Sequence, residues 1–177
     1  MRNWVFQGLR SFVFVTMVLV SADSAWSAQQ LYPFCDASGQ NLPVNNAMAL
    51  KVKATAPNQF KTRAHVAGIL SKVYADATGH GHFSIQIGQH ADETVEIIYN
   101  EEFGALPDKM FPGMKVEACG DLITASAQAG PYPPSPDGAI LHWVHFNPSP
   151  QGHPSGYLVV NGRVYGQQLP ARQNTKR

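Results

Sequence analysis

The chain has 177 residues, a length that fits one domain. Its 13 Lys and Arg nearly balance 12 Asp and Glu, which argues against a protein whose main task is holding nucleic acid, since that needs a basic surface. Two cysteines are too few for a zinc cluster of the finger type.

Residues 1–28 have the pattern of a secretory signal peptide. Arg2 and Arg10 give a positive start, residues 11–21 are mostly apolar, and small residues follow in A-D-S-A-W-S-A. The apolar run is shorter than the roughly 20 residues that a membrane helix needs. Cleavage is expected after Ala22 or Ser27. Loss of Arg2, Arg10 and Asp23 takes two basic residues and one acidic residue, leaving 11 of each. The expected location is therefore periplasmic or secreted. In such an oxidising compartment Cys35 and Cys119 are a disulfide candidate.

Residues 29–60 read as an N-terminal arm followed by a short helix. The helix is expected over residues 47–54, with Asn45 or Asn46 as its N-cap, and it ends before Pro57. Lys51, Lys53, Lys61, Arg63 and Lys72 crowd this part of the chain without interleaved aromatics, as on a solvated face.

Residues 61–166 read as a β domain. Strands are expected over 63–74, with a bulge or bend at Gly68, and over 82–87, 93–99, 114–123 and 139–146. In the second, Phe83, Ile85 and Ile87 share one face, and His82, Ser84 and Gln86 the other. A turn is expected over 76–81. The proline-rich run 129–138 reads as a long connection between strands. Asn161-Gly162 between apolar runs signals a two-residue hairpin turn, and residues 167–177 read as a disordered tail. This pattern predicts a mainly all-β fold, a small OB-like β-barrel with one short N-terminal helix. A sandwich or a cupin-like half barrel is the alternative.

Three histidines, His142, His145 and His153, fall within twelve residues, and His80 and His82 open an earlier strand. Imidazole is the side chain most readily used as a metal ligand or proton carrier near neutral pH. His82, His142, His145 and His153 are thus the candidate metal ligands, for zinc or another transition metal, with Asp137 or Asp121 as possible oxygen donors. His145 is the candidate general base, and Trp143, Asn147 and Tyr157 are the candidate ligand contacts. In a regular strand His142 and His145 point to opposite faces, so they converge only if the chain turns between residues 144 and 148. His65 and His90 read as surface residues. There is no G-x-S-x-G, P-loop or G-x-G-x-x-G motif.

The segment H-W-V-H-F-N-P, from His142 to Pro148, followed by H-P-S-G-Y from His153 to Tyr157, resembles a family of small exported bacterial proteins of unknown function. Its members read H-W-T-H-x-D-P and then H-x-x-G-W, and close on an N-G-K-x-Y hairpin. The strand from Gly79 to Ile87 resembles their G-x-x-H-x-x-F-x-[LIV] element. Val144, Asn147 and Tyr157 depart from the pattern. An amide at Asn147 cannot act as a base, as the family's carboxylate there could. The resemblance implies an OB-like fold and export, and supplies no reaction. The expected function is a metal- or ligand-binding module. The alternatives are a metal- or His-dependent hydrolase acting on phosphodiesters, and a structural accessory protein of the envelope. Expected partners are a small ligand or an envelope protein.

Overall fold

The computed structural model describes residues 32–75, 79–149 and 151–170. The expected leader lies outside them, as do residues 171–177 of the expected tail and part of the turn expected over 76–81. The elements in chain order are β1 (Asp36–Ala37), β2 (Gln40–Asn41), α1 (Asn46–Thr55), β3 (Lys61–Val73), β4 (His80–Gln86) and β5 (Thr94–Asn100). A 3-10 turn (Glu101–Phe103) follows, then β6 (Lys115–Thr124), β7 (Ala139–His142), β8 (Tyr157–Val160) and β9 (Arg163–Tyr165).

Period-two alternation builds the core. Phe83 and Ile85 of β4, Ile97 of β5, Leu122 of β6 and Leu141 of β7 are all at most 1% exposed. Each contributes about 1.5–3 kcal/mol by leaving water. Strands β3, β4, β5, β7 and β6 hydrogen-bond in that order, and β6 returns to β3. Five strands therefore close into a mainly-β, OB-like barrel, in which β5 and β7 are the parallel pair. The outer edge of β6 is shared. Asp121–Thr124 pair with β7 and Val116–Cys119 with β8, which carries β9.

β3 serves two partners, pairing with β6 from Lys61 to Ile69 and with β4 from Ile69 onward. At Gly68 an added Cβ would stand 2.1 Å from the Gln86 carbonyl oxygen, so only glycine permits the approach there. The register shift lies slightly further on, between Leu70 and Lys72. Helix α1 starts one residue before the expected position. Asn45 caps it, its side chain accepting from the Met48 N–H at 3.0 Å. Asn46 fastens the helix to the barrel, donating to the Ala67 and Ile87 carbonyls at 2.7 Å each.

The Asn161-Gly162 turn has φ of 46° and 85°, the two positive values that a type I′ hairpin requires. The chain stays tied past Gly166, where a tail was expected. Gln167 Nε2 donates to the Gly156 carbonyl, and the Gln168 N–H donates to that of Phe103. Among the described residues no helix is long and apolar enough to cross a membrane.

Cys35 and Cys119 form a disulfide across 84 residues, fastening the N-terminal arm to β6. A loop of that length corresponds to roughly 4–5 kcal/mol in the chain-entropy account. The Cys35→Ser/Cys119→Ser variant is expected to unfold at lower guanidinium concentration, losing a stability of up to that size. A midpoint equal to that of the oxidised wild type would show that the bridge adds nothing.

Candidate functional site

The barrel register sets one row of outward-facing positions across five strands. His82 pairs with Ile98, Leu141 sits beside Ile97 so that His142 follows beside Ile98, and His142 pairs with Asp121. Asp121 in turn pairs with Arg63 of β3. His82 and His142 thus lie on the outer wall of the barrel, separated by Ile98.

β7 was expected to run to residue 146 and ends at His142. Trp143 takes a left-handed backbone with φ of 54°. Such a conformation costs a non-glycine residue about 1–3 kcal/mol and persists only where the surroundings enforce it. Here the surroundings are backbone. A Cβ on Gly156 would stand 2.3 Å from the carbonyl oxygens of both Trp143 and Cys119, and one on Gly120 would stand 2.4 Å from the His142 carbonyl oxygen. The turn is one residue earlier than the sequence suggested, and it sends Val144 into the core.

The consequence is a group of stacked rings. The indole of Trp143 stacks on His142 at 4.7 Å and on His153 at 5.1 Å. His145 meets His153 edge-on at 5.1 Å and lies flat on Phe103 at 3.7 Å. Lys61 Nζ stands 5.2 Å from the centre of the Trp143 ring. Burial pushes the His142 pKa down to about 4, aided by repulsion from His80, His145, His153 and His82. Burial likewise lowers that of His145, against the opposing effect of its bond to the Phe146 carbonyl. Both imidazoles are therefore neutral at neutral pH.

The other expected site residues serve elsewhere. Asn147 braces its own loop, with its amide donating to the Gln151 and His153 carbonyls at 3.1 and 2.7 Å and its Oδ1 accepting from the Ser149 N–H. A carboxylate could not make the two donations. Tyr157 does not join the rings. It is 2% exposed and packs with Cys35, Cys119 and Val159. Its hydroxyl donates to Glu117 Oε1 at 3.0 Å, and burial together with that carboxylate raises its pKa well above the ordinary phenol value. His65, expected at the surface, is 8% exposed in the same place, donating from Nδ1 to the Leu42 carbonyl. His90 is exposed.

The expected oxygen donors are also engaged. Asp121 pairs with Arg63 Nη1 at 3.0 Å, and the same guanidinium reaches the Asp36 and Ser155 carbonyls. Asp137 accepts from the hydroxyls of Tyr74, Ser84 and Thr94, and Ser135 donates to Glu96 at 2.6 Å. These bonds hold the proline-rich connection over the wall of β4 and β5. Burial and the Asp137 charge push Tyr74 up to about 12.

The metal set His82, His142, His145 and His153 is not arranged as one. Among the described residues no three His, Cys, Asp or Glu side chains are grouped to hold a metal ion. The rings stack face to face or edge to face rather than converging on one point, while His145, His153 and His82 each donate from Nδ1, to the Phe146 and Pro154 carbonyls and to Glu96 at 2.8 Å. Sequence reasoning missed Phe103 and Lys61. Nothing in E-E-F-G marks Phe103, and Lys61 is brought beside β7 only by the Lys61↔Ile123 register, which pairs segments distant in the chain.

Fold and site together define a small OB-like barrel with a histidine–tryptophan ring group on its outer wall. Comparison with family models, curated proteins and solved structures finds no match for the chain.

Trp143 is the only tryptophan beyond residue 28, so in protein prepared without residues 1–28 its fluorescence reports on the site. Protonation of the stacked His142 is expected to quench it in a step near pH 4, and this step disappears in His142→Gln. The unfolded chain takes up that proton first, near 6.5. The stability contributed by neutral His142 is thus full above about 6.5 and is lost as pH falls toward about 4. Acid-unfolding curves of His142→Gln should be displaced to lower pH. An unchanged curve would contradict the buried, neutral assignment.

Proposed function

We propose that the chain is an exported ligand-binding module whose binding surface is the Trp143 ring group with His142, His145 and His153. The observation that carries this reading is the left-handed backbone of Trp143. Strain of that kind clusters at ligand clamps and active sites, and here it places the indole between two imidazoles, His142 and His153, with His145 edge-on to His153. The resemblance of the His142–Tyr157 motif to exported proteins and the Cys35–Cys119 bridge support export. Neutral imidazoles bind two kinds of ligand, a transition-metal ion or a small hydrogen-bonding molecule. The ring nitrogens are the recognition groups in both cases.

The test is Trp143 fluorescence of untagged protein prepared without residues 1–28, titrated with zinc, copper(II) and nickel salts and with a panel of small heterocycles. A saturable change is expected that is lost in His153→Ala and His145→Ala while circular dichroism is unchanged. Absence of any saturable change, together with less than about a tenth of an equivalent of bound metal by elemental analysis, would overturn the reading.

One observation favours hydrolysis as a second reading. His145 donates from Nδ1 to the Phe146 carbonyl, which leaves Nε2 as an acceptor, the form a general base needs. On that reading His145→Ala loses activity on phosphodiester or ester substrates. Equal activity in variant and wild type would end it.

A further inference from the structure

His82 takes no part in the ring group, and it lines a different feature. A cleft of about 580 Å³ lies between the facing ends of β3 and β4 and the connection that follows the Glu101–Phe103 turn. Small-ligand sites have volumes of this order, typically about 300–1,000 Å³, and combine an apolar lining with a few placed polar groups. The apolar part is Val73, Phe83, Leu106, Met110 and Phe111. Phe111 is 57% exposed and Val73 is 44% exposed, so two large apolar side chains stand open at one cleft. Gly81 belongs to the same wall. The Leu106 side chain packs directly on it, its Cδ1 2.5 Å from where a Cβ would stand.

The polar lining decides the ligand class. Of the other polar residues in the lining, Tyr74 donates its hydroxyl to Asp137 and His82 donates from Nδ1 to Glu96. The charged groups left to meet a ligand are the carboxylates of Glu101 and Asp108 against the single ammonium of Lys109. Two carboxylates against one ammonium, beside the open ring of Phe111, select a cation through charge and through the ring quadrupole. We infer that this cleft is a binding site for a small amphiphilic amine, with an apolar or aromatic body between Leu106, Met110 and Phe111 and an ammonium toward Glu101 and Asp108. The site shares no residue with the ring group, so it stands or falls independently of the function proposed above.

The test compares 4-phenylbutylamine with 4-phenylbutanoate, which share a body and differ in charge, by amide chemical-shift titration of the purified protein. Saturable shifts are expected at Gly81, Leu106, Met110 and Phe111, with the amine bound roughly tenfold tighter than the acid, as expected for one charge-assisted contact. The exposed substitution Asp108→Asn should narrow that preference, adding Glu101→Gln should remove it, and Phe111→Ser should weaken both probes. His142→Gln should leave all of these values unchanged. Equal or tighter binding of the acid, shifts centred on Trp143, or no saturation with either probe would overturn the assignment.

Discussion

The structure depends on one close crossing of backbone. The carbonyls of His142 and Trp143 run against Gly120 and Gly156 at distances that leave no room for a Cβ, and Gly166 lies in the same way against the Val144 carbonyl. Because the chain can cross there, β7 ends at His142, Val144 drops into the core and β8 starts at Tyr157 beside Cys119. The stacking of Trp143 between His142 and His153 is a product of the same crossing. A side chain at Gly156 would force apart β6 and the 143–145 turn together, since both lie within the same 2.3 Å. The strain at Trp143 is held by packing on the strands around it.

Around that crossing the polar groups divide into separate networks. Arg63 joins the N-terminal arm, β6 and the loop before β8, through Asp36, Asp121 and Ser155. His65, Glu117 and Tyr157 fill the space under the disulfide. Asp137 and Glu96 hold the proline-rich connection onto β4 and β5, which is why Ser84, Thr94 and Glu96 are buried although they face outward. Among the described residues no buried side-chain nitrogen or oxygen lacks a partner. The imidazoles of the ring group differ from these networks. They are held mainly by stacking and by bonds to adjacent carbonyls, and burial keeps His142 and His145 neutral.

Six of the seven histidines divide between this wall, the interior and solvent. His65 is part of the interior and His90 is solvated. His82 and His142 occupy one cross-strand row, with Ile98 between them, and His145 and His153 reach the group from the loop that follows. Proximity in sequence was therefore a good guide for His142, His145 and His153 and a poor one for His82, whose Nδ1 is committed to Glu96.

What the sequence by itself determined is local. Period-two alternation sets which side of β4 and β6 is buried, Asn45 caps α1, and Asn161-Gly162 makes the hairpin, because each depends on a few neighbouring residues and their own torsions. Two cysteines in a chain with an export-like start pointed to the one bridge that forms. Which face a residue takes, however, does not say what lies opposite. Tyr157 looked like a ligand contact and His65 like a surface residue, yet both are fixed by a pairing of β8 and β3 on either side of Cys119. Asn147 looked like a weakened carboxylate and is a loop brace, since its partners are carbonyls from residues 151 and 153. The turn at Trp143 was decided by glycines at 120 and 156, distant in the chain and meeting only when the barrel closes. Contacts of that kind belong to the tertiary structure because they arise from backbone approach between segments, which no local pattern of side chains encodes.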